Sequence, residues 1–364
     1  MRSHPPSRPT FPNCGLYCGL NSGVSLQRPA RSILHRAATC AATLLLPLAL
    51  GGLLPACRKA SSSSPSKESA SATPPANQPA SHPVPAELWK EFDPARAMDH
   101  VRRQVECGPR PAGSPPLEKA RALIEESLHQ AGWKTERQTF ESSTPRGPQT
   151  FTNLIARFPD ASGAVSLASQ RAIVASHYDT KLFSTIEFVG ANDGASSTGA
   201  LLELARTLSL DPSLASKIEL VFFDGEEAFQ QFSETDGLYG SRNYAKKLRS
   251  ADRTGQFQFA LLWDMIGDRH LNLTLPQDSP RELLQALFAS AEALSARPLF
   301  RLFDRPILDD HVPLQRIAGI PSLDVIDFDY PAWHTADDTL EQLSPESLRI
   351  VGAVTLHLLK SQLP

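Results

Sequence analysis

Three short apolar runs, each ending at a histidine or a carboxylate, constrain this chain most: RAIVASH at 171–177, IELVFF at 218–223 followed by Asp224-Gly225-Glu226-Glu227, and FALLWD at 259–264. Runs of this length, apolar throughout rather than in alternation, fit strands inside a sheet that is covered on both faces. Helical spacing surrounds them, at 116–131, 197–209, 238–249, 280–296 and 345–359, and a helix capped by Asp93 runs to about 106. Further strands are expected at 133–140, 151–158, 257–266 (which contains FALLWD) and 323–326. Strands alternating with helices predict an α/β fold, doubly wound, with a mostly parallel central sheet and helices on both faces. No internal repeat is evident.

The residues before this pattern are a different kind of polymer. Arg28, Arg31, His35 and Arg36 precede an apolar run at 41–56, the layout of a secretory signal peptide. That run is short for a membrane span and contains Pro47, Gly51 and Gly52. Leu54-Pro55-Ala56-Cys57 resembles the bacterial lipobox, which implies lipidation at Cys57; ordinary cleavage near Ala56 is the alternative. Residues 58–86 are rich in Ser, Pro and Ala and read as a disordered tether. The expected division is a signal segment at 1–57, the tether at 58–86 and one α/β domain at 87–364. The expected location is export, as a membrane-anchored lipoprotein or a periplasmic or extracellular protein, touching membrane only through the N-terminal lipid. Four of the five cysteines precede residue 60, so Cys107 alone leaves the domain no disulfide framework. A formal net charge of -3 gives no electrostatic basis for a nucleic-acid partner.

Chemistry gathers at the ends of the apolar runs. His177 and Asp179 close the first, Asp193 follows in the loop GANDG, Glu226 and Glu227 follow the second and Asp264 ends the third. Asp309-Asp310-His311 and Pro331-Ala332-Trp333-His334 lie in later loops. In an open α/β sheet, ligands bind beyond the carboxyl ends of the strands. Taken singly, an Asp in a Gly-rich loop is a turn residue, a Glu pair is a solvated face and a His is a surface residue. Taken together, carboxylates ending apolar strands are costly without compensation, and a cation supplies it. Zn²⁺ accepts His nitrogen and carboxylate oxygen, and a catalytic zinc keeps one position open. Adjacent Glu226 and Glu227 divide naturally, one binding metal and its neighbour handling protons.

CGPRPAGS at 107–114, TPRGPQTFTNLIA at 144–156, HYDTK at 177–181, GANDGA at 190–195, FFDGEEAF at 222–229, LYGSR at 238–242, DDHVPL at 309–314 and WHTADD at 333–338 run in order across the domain. As a set they resemble the glutaminyl cyclases (glutaminyl-peptide cyclotransferases), acyltransferases related to the zinc aminopeptidases. The resemblance implies one zinc on Asp193, Glu227 and His334, with Glu226 as general acid and base. It implies that Asp264 and Asp309 form a hydrogen-bonded acidic pair holding the reacting groups, and that Trp333 lines the pocket for the substrate side chain. His177 matches a second-metal ligand of the aminopeptidases. Phe232 stands at a pocket position where the family has Trp, and Ser176 replaces the cysteine of the animal enzymes' disulfide. The implied reaction is cyclisation of N-terminal glutamine of peptides and proteins to pyroglutamate, with release of ammonia. The alternative is a zinc aminopeptidase with two metals, the second on His177 and Asp264 with Asp193 bridging; a non-catalytic binding protein is a minor one.

Overall fold

The computed structural model of the chain describes residues 83–363. The expected signal segment at 1–57, and the expected tether up to residue 82, lie outside the described residues.

The strands are β1 (Lys134–Thr144), β2 (Gly147–Arg157), β3 (Ala172–His177), β4 (Ile218–Phe223), β5 (Phe259–Asp264), β6 (Leu273–Leu275), β7 (Phe300–Leu302) and β8 (Ser322–Ile326). Six form one sheet in the order β1-β2-β4-β3-β5-β8. β1 and β2 make an antiparallel hairpin, and β2 runs antiparallel to β4. β4, β3, β5 and β8 are parallel, so the expected mostly parallel sheet is what the chain forms. The order turns back at β3: β4 is added on one side and β5 on the other. That reversal makes a crevice at the carboxyl ends of β3 and β5, and His177 and Asp264 are the last residues of those strands.

The helices are α1 (Pro94–Val105), α2 (Pro115–Gln130), α3 (Ser197–Leu208), α4 (Pro212–Ala215), α5 (Tyr239–Ser250), α6 (Arg281–Ala293), α7 (His311–Pro313) and α8 (Pro345–Gln362). Asp93 caps α1 as expected, its Oδ1 accepting from the Ala95 and Arg96 amides at 2.9 and 3.3 Å. Alternate strand residues face opposite layers. Val174, Leu220, Phe222, Leu261 and Leu323 pack with Val101, Leu201, Leu287 and Leu356 of α1, α3, α6 and α8. Ile173, Ala175, Val221, Phe223, Ala260 and Leu262 pack with Tyr244 and Leu248 of α5 and with Leu314. Each fully buried Leu, Val or Phe contributes about 1.5–3 kcal/mol, so both layers hold the strand ends in place.

The elements differ from expectation mainly at their margins. β1 and β2 continue through the polar stretch 141–150, pairing Glu141 with Thr150 and Thr144 with Gly147; their cross-strand bonds do not need apolar side chains. α6 stops at Ala293, short of 296, and Ser295 turns the chain at a φ of 57°. β6 and β7 pair parallel outside the main sheet, and three residues carry too little periodicity to be read in advance. No described helix is long and apolar enough to cross a membrane.

Candidate active site

Beyond β3, the chain reaches Asp193 through a loop whose glycines are obligatory. Gly194 has a φ of 87°, and a Cβ there would lie 2.8 Å from the Asp179 carbonyl and 3.0 Å from the His177 ring. Asp338 anchors the loop from 145 residues further along the chain. Its carboxylate accepts from the Asn192 and Asp193 amides at 2.7 and 3.1 Å, and the Tyr330 hydroxyl donates to it at 2.8 Å.

Beyond β4, Gly225 makes the turn that delivers the two glutamates. Its φ is 75°, and a Cβ would sit 2.4 Å from the Phe151 ring. Asp179 then receives the Glu226 and Glu227 amides at 3.1 and 3.4 Å. Gly225→Ala meets both a left-handed backbone and an overpacked ring, so it should destabilise the fold by about 2–4 kcal/mol and displace both glutamates. A thermal melt and an activity assay check this; an unchanged melting temperature would contradict it.

His334 has a φ of 57°, a conformation that costs free energy in a non-glycine residue and is found at sites where surroundings enforce it. Its ring is held by stacking on Trp333 (centroids 4.3 Å apart) and by the edges of Phe183 and Phe188. So held, Nε2 lies 3.2 Å from Glu227 Oε1 and 3.4 Å from Asp193 Oδ2.

Asp193, Glu227 and His334 can each offer one ligand atom within 4.8 Å of the others. Asp193 Oδ2 is buried and accepts no hydrogen bond. One imidazole nitrogen, two carboxylates and an orphaned buried oxygen fit a zinc with three protein ligands and one open position. Lys181 Nζ lies 3.3 Å from Glu227 Oε2, on the side away from His334, and donates to the Ala228 carbonyl at 2.8 Å.

Asp193, Glu226, Glu227, Phe232, Asp264, Asp309, Trp333 and His334 all line one pocket, with Phe303, Leu308 and Phe328 adding apolar wall. His177 is buried behind that wall, its Nε2 3.2 Å from both Asp193 Oδ1 and Asp264 Oδ1. The resemblance implied a hydrogen-bonded pair of Asp264 and Asp309. Both line the pocket; Asp264 Oδ1 also lies 3.2 Å from His177 Nε2, and Asp309 also neighbours Asp324 and His311.

Burial shapes the charges. Glu226 is driven well above the usual carboxylate range by burial, and the charges of Glu227, Asp309 and Asp310 add to this against the opposing effect of His177. Burial lifts Asp264 to about 7 although His177 opposes it. At Asp193 burial is outweighed by the nearby His177 and His334 rings, which hold it below the usual range. The pocket thus sets a carboxyl group of raised proton affinity, suited to taking and returning a proton, beside a carboxylate that stays ionised.

Asp338 and Tyr330, which orient these groups, were not read from the sequence as site residues, and Asp179 was read as a strand-end carboxylate without its role of holding the two glutamate amides. Asp179 lay in view in HYDTK and Asp338 in WHTADD, and a carboxylate within a motif was the available signal.

The model of peptidase family M28 matches residues 153–359. The glutaminyl-peptide cyclotransferase of Boiga irregularis is 36% identical over 281 residues, which are 66% of this chain and 74% of the relative. An Acidobacteriales bacterium glutaminyl cyclase structure is 33% identical, with a TM-score of 0.65, over 80% of this chain and 98% of that one. The Porphyromonas gingivalis glutaminyl cyclase is 27% identical, with a TM-score of 0.68, over 76% and 100%. A Zn-dependent exopeptidase from Parabacteroides distasonis, at 24% identity and a TM-score of 0.67 over 76% and 99%, shares the fold. The chain belongs to peptidase family M28 and, within it, to the glutaminyl-peptide cyclotransferases.

Proposed function

We propose that this protein cyclises N-terminal glutamine of peptides and proteins to pyroglutamate and releases ammonia, in a zinc-dependent reaction. The observation that carries the reading is Glu226, buried and lining the same apolar-walled pocket as the ligand set Asp193, Glu227 and His334. Relatives named glutaminyl-peptide cyclotransferase support it.

Asp193, Glu227 and His334 would hold the zinc, which when bound supplies Lewis-acid polarisation of the substrate's γ-amide carbonyl. The pocket wall of Phe232, Phe328 and Trp333 encloses the glutamine side chain and limits water. Glu226 takes a proton from the α-amine as its nitrogen bonds to the γ-carbon. The same residue gives that proton to the departing γ-nitrogen as the carbon–nitrogen bond breaks, so ammonia leaves neutral and no water is consumed. Asp264 and Asp309, on the same wall, accept hydrogen bonds from the amine and the leaving group.

A second reading, a two-metal aminopeptidase, is favoured by one observation: His177, Asp193 and Asp264 also gather within 4.8 Å. Incubating the protein with a Gln-peptide and a Leu-peptide separates the two. Ammonia without free amino acid is the expected result, and released leucine would contradict it. About one zinc per chain is expected, against about two for the aminopeptidase. Export with a lipid on Cys57 is part of the same proposal, supported by the lipobox-like Leu54-Pro55-Ala56-Cys57. A Cys57→Ser variant should leave the membrane fraction, and its retention there would contradict the anchor.

A further inference from the structure

Asp324 stands in the middle of β8, between Leu323 and Val325 and opposite Leu262 of β5. It is 0% exposed, on the sheet face that α5 covers. Neither of its oxygens meets a conventional hydrogen-bond donor. An unpaired carboxylate in such a place costs several kcal/mol, so the sheet does not bury it for stability. What it touches is chemical. His311 Nδ1 lies 3.4 Å from its Oδ2, and one ligand atom each of Asp309, His311 and Asp324 fall within 4.8 Å of one another.

An oxygen of Asp309 lies within 4.8 Å of one of Asp324, and each carboxyl shifts the other's affinity for a proton. Two buried carboxyl groups share such a place only if one of them keeps a proton. Burial holds His311 down to about 3, with Arg316 adding to the effect, so its ring is neutral and brings no balancing charge. Asp309 accepts the Asp310 amide at its Oδ1, a bond that favours its ionised form. Asp324 has no such bond, and burial with the charges of Asp309 and Asp264 pushes it well above the carboxylate range. The proton therefore belongs to Asp324.

We propose that Asp324 is a positioning residue: a buried carboxylic acid whose O–H donates to the Asp309 carboxylate and fixes it toward the pocket. It does not touch substrate. Its effect on turnover rests on the cyclase reading, in which Asp309 holds the reacting amine or the leaving group. The O–H donor keeps Asp309 an acceptor at both ends, receiving from Asp324 behind and from substrate in front.

Two variants and one spectrum test this. In Asp324→Asn the amide N–H replaces the O–H donor, and kcat should stay within a few-fold of wild type. Asp324→Leu keeps the branched shape and has no donor; its kcat should fall roughly 10–100-fold, the worth of one hydrogen bond to a charged group. Its KM and zinc content should be unchanged. The infrared difference between substrate-free wild type and Asp324→Asn at neutral pH should show one protonated-carboxyl stretch belonging to Asp324. That band decides the proton's location even if Asp324→Leu does not fold or the protein proves not to cyclise glutamine. The proposal is overturned by absence of the band, by wild-type kcat in folded Asp324→Leu, or by Asp324→Asn losing kcat while folded. A loss of one bound metal in Asp324→Asn would mark the triad as a cation site and overturn it as well.

Discussion

Replacing Glu226 by Gln should lower kcat by roughly 10²–10⁴-fold while the fold and the zinc content stay as in wild type. The side chain is isosteric, and the backbone around it is held independently. The Glu226 amide donates to Asp179 at 3.1 Å and its carbonyl accepts from the Leu238 amide at 2.7 Å. Glutamine also removes a like charge from beside Glu227, Asp309 and Asp310, which together with burial oppose ionisation of Glu226. The thermal melt should therefore be unchanged or slightly higher. The loss should fall on kcat rather than KM, because the proton is in motion only while bonds form and break. Turnover near wild type in this variant would remove Glu226 from proton transfer.

The second large effect is expected at His334. The residue occupies a left-handed backbone at a φ of 57°, so Ala would add strain of its own, whereas Gly adopts that conformation freely. His334→Gly removes the imidazole and leaves the backbone at ease. Asp193 and Glu227 then remain as the only protein ligands of the set. Loss of a supporting hydrogen bond to a ligand costs about 10–100-fold in metal affinity; loss of the ligand itself should exceed that. Competition with a chelator measures the affinity, and activity should fall with it. Added imidazole should restore part of both, since the space between Phe183, Phe188 and Trp333 is kept. Wild-type zinc affinity in His334→Gly would place the metal elsewhere.

The legible and illegible parts of this molecule differ for physical reasons. IELVFF and FALLWD announce buried parallel strands because a strand covered on both faces has little room for alternation. Once they are strands of one parallel sheet, Glu226, Glu227 and Asp264 must emerge on the same edge, so the gathering of these acids was readable before any coordinates. Side-chain partners were not. Asp264 is drawn to His177 because β3 and β5 are neighbours, a pairing order that local sequence does not encode. Asp338 cradles Asn192 and Asp193 from 145 residues away in sequence, and nothing local marks such a contact. Asp324 was visible as a charge inside an otherwise apolar strand. Its contact with Asp309 depends on the register of β8 against β5 and on the fold of the loop before α7.

The most direct measurement is the fate of solvent oxygen. A Gln-peptide incubated with the protein in water enriched in heavy oxygen should yield ammonia and a pyroglutamyl peptide carrying none of the label, because the α-nitrogen is the nucleophile. Free glutamine carrying one heavy oxygen in its carboxylate, beside an unlabelled shortened peptide, would instead show aminopeptidase chemistry and would contradict cyclisation at this site.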